Sequence, residues 1–437
     1  MPKDARGLEV SGANAEIVAG IDDYVARLVR IEPGAERILE DVRAHPDVPL
    51  LRLHAAAFLL FGQTGELVAA ATEHLAAVEP RLAAANERER AFHGALRLWH
   101  EGAFHRAAEA FEALTEPWPR DLAAAKMCEF LYYVLGQQHS GKRFYAHMAR
   151  LEDANRDDPD YLAMAAFASE LCDDFAGAEA KATRAIELAP RNPWAEHALS
   201  HALIRQGRVD EGKRRMEAFL PELRKCGRII VCHDLWHLAL FYLEELDLEA
   251  ASRLFREDVW IAGADSVSEQ LDMIALLWRM EVAGGEVEDA WEDIAERILP
   301  HASETFMPFV NAHFAYALAR AGRNDALEEM LARVATRSAL PDDESRRVWA
   351  PIGRPVIEAC AAAGRGDARR AATLLEPVIA GMPAIGGSDA QCDLFRQLYL
   401  QSLRASSRKA DARRFLDLLT IHKRRRTPLD GLLAQGL

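Results

Sequence analysis

The 437-residue sequence has few of the features that mark secreted, disulfide-bonded or membrane-spanning proteins. Its six cysteines are scattered and never form a C-x-x-C pair, which argues against a disulfide framework and against a zinc finger. No apolar run approaches the length of a membrane span, and the N-terminal residues lack the apolar core of a signal peptide. We therefore expect a protein of the reducing cytoplasm.

Positive charge is also scarce. Lys and Arg together number 53 against 68 Asp and Glu, which gives a formal net charge of -15. This balance argues against nucleic acid and against anionic membrane surfaces as partners. The one basic run, residues 423–426, is predicted to be a solvated helix end, where cations meet the negative end of the helix dipole.

The common catalytic motifs are missing too. The sequence contains no H-E-x-x-H zinc motif, no G-x-x-x-x-G-K-[ST] phosphate loop and no G-x-S-x-G nucleophile elbow. No reaction class can therefore be assigned from a short motif, and the functional prediction depends on unusual residue pairs placed on helices.

Amphipathic helices account for almost the whole chain. Apolar residues recur at three- and four-residue spacing, and the helix formers Ala, Leu, Glu and Arg dominate. Pro159 and Pro193 lie 34 residues apart, and the turns at Phe175 and Val209 repeat that interval. Thirty-four residues is the period of tetratricopeptide repeats.

The sequence therefore predicts an all-α, tetratricopeptide-like superhelix, or α-solenoid, curled around a central pocket. We expect a single domain over residues 1–437, with the clearest repeat units in 86–222 and longer repeats in 230–437. Two segments, 339–355 and 383–388, are rich in Pro, Gly or charge and are expected to be loops.

Two neighbouring helices each carry a His-x-x-x-His pair. His197 pairs with His201 and His233 pairs with His237, and residues four apart on a helix share a face. The first helix of each tetratricopeptide hairpin lines the concave surface, and adjacent helices pack at roughly 8–10 Å. We therefore expect the imidazoles to converge there, and Asp234 could orient one of the rings.

Three interpretations of the histidines compete. They could be hydrogen-bonding residues of a packed array. They could line a binding or catalytic pocket for a small polar molecule, with His233, His237 and Asp234 as acid–base groups. They could also hold a divalent metal, for which His197, His201, His233 and His237 are the candidates.

The predicted pocket has further members. The residues expected to contact a ligand are His197, His201, Trp194, Trp236, His313 and Asp389. Asp389 belongs to the string Gly386-Gly387-Ser388-Asp389-Ala390-Gln391. Ser388 and Gln391 have the spacing of a helix capping box, which explains those two residues and leaves Asp389 without a structural explanation.

The chain also resembles the tetratricopeptide repeat protein 38 family over nearly its full length. The resemblance rests on these blocks: Asn86-Glu87-Arg88-Glu89 with Leu98-Trp99 and Gly102, Trp194…His197…His201, Cys232 to Leu240, Leu254…Val259, Asp272 and Trp278, Asn311-Ala312-His313-Phe314, and Gly386 to Gln391. It implies a curved helical-repeat protein and carries over no assigned reaction. Asp234 and Asn311 depart from the family pattern, which typically has Asn and Asp there, so the acids around the histidines are placed differently.

We therefore expect a cytoplasmic tetratricopeptide-repeat protein of this family whose His/Asp-lined concave pocket binds a small polar ligand and could catalyse its conversion. The alternative is a non-catalytic scaffold that binds a peptide or protein partner in the concave groove. Scaffolds for acidic peptide tails typically present Lys and Arg on their inner helices. Here those helices carry His, Trp and acidic residues, which favours the small ligand.

Overall fold

A computed structural model describes residues 1–260, 266–287 and 290–437. In these ranges the chain forms 23 α-helices, joined by short turns and a few 3₁₀ or π-helical segments, and it contains no β-strand. The predicted all-α fold is therefore confirmed. None of the described helices is both long enough and apolar enough to cross a bilayer.

The chain divides into two compact units. The first unit comprises Met1–Leu135, Ser140–Ala198 and Lys225–Ile230, and the second comprises Gly136–His139, Leu199–Arg224 and Val231–Leu437. The assignment of residues 1–437 to a single repeat domain stays a prediction.

Ten helices belong wholly or mostly to the first unit. They are α1 (Ala15–Arg30), α2 (Ile38–Ala44), α3 (Pro49–Leu60), α4 (Gly65–Val78), α5 (Glu87–His100), α6 (Phe104–Thr115), α7 (Leu122–Val134), α8 (Gln137–Asn155), α9 (Pro159–Glu170) and α10 (Phe175–Leu188). Consecutive helices pack as hairpins, most extensively α3 with α4, α5 with α6 and α9 with α10. Small residues permit close packing: Ala178, Ala182 and Ala185 of α10 are fully buried.

Two helices, α11 (Pro193–Arg205) and α13 (Arg228–Glu244), begin in the first unit and end in the second. The helices of the second unit are α12 (Val209–Leu223), α14 (Leu248–Leu254), α15 (Val267–Val282), α16 (Ala290–Ile298), α17 (Pro308–Arg320), α18 (Asn324–Ser338), α19 (Arg354–Gly364), α20 (Ala368–Leu375), α21 (Asp389–Ala405), α22 (Lys409–Leu419) and α23 (Pro428–Ala434). The hairpin pattern continues here, for example in α19 with α20 and α21 with α22.

The helix starts keep the spacing seen in the sequence. Helices α9 and α11 begin at Pro159 and Pro193, and α10 and α12 begin at Phe175 and Val209. A proline is well placed at the start of a helix because the first N–H has no partner inside the helix. The close approach of α12 to α13 requires a glycine, since a Cβ on Gly212 would lie 2.2 Å from the ring of Phe241.

The predicted loop at 339–355 is largely wrong. Ser345–Gly353 forms a π-helical stretch that leads directly into α19. The wider π-helical turn tolerates Pro351, whose ring and missing N–H would interrupt a regular α-helix. In the second predicted loop, Met382–Ile385 forms a short 3₁₀ turn, and the extended entry to α21 is confined to the residues that follow it.

The basic run at 423–426 is not simply a solvated helix end. Lys423 is only 13% exposed, and its Nζ lies 2.8 Å from carboxylate oxygens of both Glu244 and Asp430. Arg424 donates to the side chain of Gln206 at 2.6 Å, and Arg425 pairs with Asp210 at 3.0 Å. The run therefore ties the segment between α22 and α23 to the end of α11 and to α12 and α13.

We predict that Lys423→Met lowers the free energy of unfolding by about 3 kcal/mol, because it leaves two mostly buried carboxylates without their cation. Arg425→Met is the matched control from the same run. Its ion pair is exposed on both sides, so the change should stay below about 0.5 kcal/mol. Urea denaturation followed by circular dichroism measures both values. Equal effects of the two substitutions would show that the Lys423 contacts are not stabilising.

Candidate functional site

Three histidines of the second unit form a row that ends on a carboxylate at each side. We call this Asp389–His201–His237–His233–Asp272 set the histidine row. The ring centroids of His201 and His237 are 4.5 Å apart, and those of His237 and His233 are 4.9 Å apart. The row is built by α21, α11, α13 and α15, so residues far apart in sequence meet within one unit.

The first end of the row is a hydrogen bond between two buried groups. The Nδ1 atom of His201 lies 2.9 Å from Oδ1 of Asp389, and both side chains are almost completely buried. An ionised carboxylate only accepts hydrogen bonds, so the Nδ1–H of His201 must be the donor. The lone pair of the neutral ring is then on Nε2.

Local sequence explains the position of Asp389. Gly387 has φ +82°, and a Cβ on it would lie 2.5 Å from the ring of Phe309, so a larger residue would disturb the entry to α21. The capping box is confirmed: the Gln391 N–H donates to Ser388 Oγ, and the Ser388 N–H donates to Gln391 Oε1. Asp389 is thereby fixed as the first residue of α21.

The surroundings of Asp389 favour its charged form. Burial alone would raise the pKa of this carboxyl. The hydrogen bond from His201, the cation of Arg205 at 3.3 Å and the N–H of Ala390 together hold the pKa of Asp389 below its ordinary value. The N-terminus of α21 adds a favourable dipole. Asp389 is therefore a buried anion held by three donors.

The surroundings of His201 favour its neutral form instead. Burial lowers the pKa of His201 and outweighs the raising effect of Asp389, so the ring is neutral at neutral pH. A neutral imidazole oriented by a carboxylate can accept a proton or act as a ligand through its second nitrogen. The pair can therefore support acid–base chemistry, metal binding or hydrogen bonding.

The other end of the row repeats this arrangement. Nδ1 of His233 lies 3.0 Å from Oδ1 of Asp272. The indole of Trp236 is stacked against His233, with centroids 5.5 Å apart and an interplanar angle of 12°, and it meets His237 edge-on. The predicted convergence of His201, His233, His237, Trp236 and Asp389 is therefore present in the second unit.

A cavity of about 570 Å³ adjoins the row. Asp389 belongs to both, because it pairs with His201 and also lines the cavity together with its partner Arg205. Arg279 connects the cavity with the row indirectly: it lines the cavity, and its guanidinium carbon lies 5.5 Å from the ring centre of Trp236, which contacts His233 and His237. The apolar parts of its wall include leucines of α13, α22 and α23.

The other predicted site residues have different surroundings. In the first unit, Trp194 stacks on His197 with centroids 4.5 Å apart, and its Nε1–H donates to Glu129 at 2.9 Å. The ammonium of Lys126 lies 3.6 Å from the Trp194 ring centre. Trp194 and His197 thus belong to a buried cluster with a charged pair, and their predicted ligand contacts stay predictions.

His313 and Asp234 are both fully buried. His313 donates from Nδ1 to the Phe309 carbonyl at 2.9 Å and packs against the rings of Phe309, Phe395 and Trp278. Asp389 accepts a hydrogen bond from His201, and Asp272 accepts one from His233. The acid–base role of Asp234 therefore stays a prediction.

A metal role also stays a prediction. Histidines that bind metals usually donate their second ring N–H to a carboxylate, as His201 and His233 do here. The same hydrogen bonds occur in purely structural pairs, so the pattern allows a divalent metal without requiring one.

Sequence reasoning did not select three residues that the structure places at the site. Arg205 follows His197 and His201 at the same four-residue spacing, so helical periodicity could have identified it. Asp272 entered only through the family resemblance. The position of Arg279 beside Trp236 depends on packing between helices and has no local sequence signal.

In a comparison with models of known protein families, none matches this chain.

A pH prediction follows from His313. Burial lowers the pKa of His313 to about 4, while an unfolded histidine titrates near 6.5. The unfolded state therefore takes up the proton first as the pH falls, and stability is lost between pH 6.5 and about 4. From pH 7 to pH 5 this group should cost the wild type about 2 kcal/mol.

Urea titrations at the two pH values test this. His313→Leu should remove that part of the acid destabilisation, and His139→Leu, at an exposed position, should keep it. An unchanged pH dependence in His313→Leu would mean that His313 is not held neutral by burial.

Proposed function

We propose that the protein binds a small molecule with a polar group in the cavity of the second unit, beside the histidine row. The observation that carries this proposal is the double role of Asp389, which is held by His201 on one side and lines the cavity on the other. A buried carboxylate kept ionised in a cavity wall is a specific hydrogen-bond acceptor for a ligand.

The size and lining of the cavity support a small ligand. Binding pockets for small molecules usually measure about 300–1,000 Å³ and combine apolar walls with a few fixed polar groups. The cavity has this volume, and two of the charged residues in its wall, Asp389 and Arg279, are buried. A peptide scaffold would instead present its polar groups in an accessible groove, so these buried groups favour the small ligand.

The histidine row also suits acid–base chemistry. Neutral His201, oriented by Asp389, can take up a proton, and His237 lies beside it as a second imidazole. We propose that conversion of the ligand, where it occurs, uses this row, with His233 and His237 as acid–base groups. His201 acts on the cavity through Asp389 and is a positioning residue for binding.

The proposed setting is the cytoplasm, and the proposed repeat type is the tetratricopeptide repeat. All six cysteines are free thiols, as expected for a reducing compartment. The 34-residue interval between helix starts, together with the sequence blocks described above, supports the tetratricopeptide repeat protein 38 family.

The experiment is a thermal-shift screen with a panel of small carboxylic acids, amines, alcohols and amino acids. Compounds that bind the folded protein at about one hundred times their dissociation constant should stabilise it by about 2.7 kcal/mol. Asp389→Asn should abolish the shift because the neutral amide cannot keep the ionic contact with Arg205 in the cavity wall. Asp325→Asn, an exposed carboxylate in the first turn of α18, is the control.

The proposal is contradicted if no compound stabilises the wild type, or if the compounds that do so bind Asp389→Asn equally well.

A further inference from the structure

Four basic and four acidic residues line the cavity, but they are not paired one to one. Its basic residues are Arg205, Arg279, Arg396 and Lys423, and its acidic residues are Glu244, Asp389, Asp393 and Asp430. Arg205 is paired with Asp389, and Lys423 is held by Glu244 and Asp430. Two arginines, Arg279 and Arg396, are left with one carboxylate between them.

Among the described residues, Arg279 is a buried cation that has no carboxylate within hydrogen-bond distance. Its side chain is only 5% exposed, and its nearest carboxylate, Asp393, is 4.0 Å away and itself 37% exposed. Its two terminal nitrogens contact the Ala390 carbonyl at 2.5 Å and the Gln397 side chain at 3.5 Å, which are both neutral groups. Within the described residues, its Nε has no hydrogen-bond partner.

The cost of burying the Arg279 charge is therefore only partly compensated by its neighbours. A buried charge is tolerated when it is paired and its hydrogen bonds are satisfied, and Arg279 has neither condition fully met. Burial accordingly lowers the pKa of Arg279 from its ordinary value, although arginine remains protonated. An anion entering the cavity would supply the missing partner.

Arg396 also lines the cavity. It lies three residues after Asp393 on α21, hence on the same face of that helix. It donates to the side chain of Gln138, and in the part of the chain that the structure describes it has no ion-pair partner. Arg279, Arg396 and Asp393 together carry one net positive charge. This charge suits a ligand with one negative charge.

Much of the remaining lining is apolar, although Gln138, Gln397, Tyr399 and His422 also belong to it. The aliphatic residues of the wall include Leu240, Leu243, Leu416, Leu419, Leu429 and Leu433. Leu418 and Ile421 also line the cavity and are 63% and 68% exposed, so the apolar surface continues to the outside. A ligand that fills this space needs an apolar body in addition to its anionic group.

We infer that the cavity binds an amphipathic monocarboxylate, whose carboxylate pairs with Arg279 and Arg396 and whose apolar body lies along the leucines. Guanidinium groups bind carboxylates through charge-assisted hydrogen bonds, and a chain of methylene groups matches the aliphatic wall. The inference rests on the proposed function, since it names the class of molecule that occupies the same cavity.

Isothermal titration calorimetry on the full-length protein tests this with decanoate, decanol and decylamine, which share one chain and differ in the head group. Decanoate should bind about tenfold or more tightly than decanol, and decylamine should bind more weakly than both. Arg279→Met should weaken decanoate about tenfold and leave decanol within about twofold.

Arg396→Met is a second test, at a position that is less buried and therefore safer for folding; it should weaken decanoate selectively as well. Arg414→Met, on the exposed side of α22, is the control and should change nothing.

Two outcomes separate this inference from the proposed function. If decanol or decylamine binds as tightly as decanoate and the binding is lost in Asp389→Asn, the monocarboxylate is wrong and the cavity still binds a ligand. If none of the three compounds binds, the inference is overturned. The thermal-shift screen with wild type and Asp389→Asn then tests separately whether the cavity binds any ligand. Tighter binding of decyl phosphate than of decanoate would also overturn the single-charge argument.

Discussion

The buried hydrogen bond between His201 and Asp389 is the contact on which the rest of the site depends. A carboxylate in the protein interior must be compensated, and here the imidazole, Arg205 and the start of α21 do this together. The same bond fixes the tautomer of His201 and so determines that Nε2 carries the lone pair of the neutral ring. Asp389 thus links the chemistry of the row to the cavity that it lines.

Two of the four cationic groups that line the cavity, Lys423 and Arg279, differ in how completely the protein pairs their charge. Lys423 lies between two mostly buried carboxylates. Its ion pairs stabilise the segment between α22 and α23 without a ligand. Arg279 is buried to a similar degree but contacts neutral oxygens. A charge that the protein leaves incompletely paired is the group that a ligand can satisfy, whereas a fully paired charge contributes to folding.

Much of the fold and part of the site could be predicted from the sequence, and the reasons are physical. Helices follow from local periodicity, and the capping box at Ser388 and the prolines at helix starts mark their boundaries. The two His-x-x-x-His pairs pointed to the row. The partner carboxylates could not be assigned from spacing, because Asp389 lies 188 residues from His201 in sequence. The π-helical stretch at Ser345–Gly353 was missed because prolines usually indicate loops.

The measurement that tests this account most directly is long-range ¹H–¹⁵N NMR on histidine-labelled protein at pH 7, with the His201 signals assigned by comparison with His201→Gln. The account predicts a neutral His201 ring protonated on Nδ1, and loss of this preference in Asp389→Asn. A ring protonated only on Nε2 would contradict the donor role of His201 and with it the connection between the histidine row and the cavity, and a doubly protonated ring would contradict its neutral state.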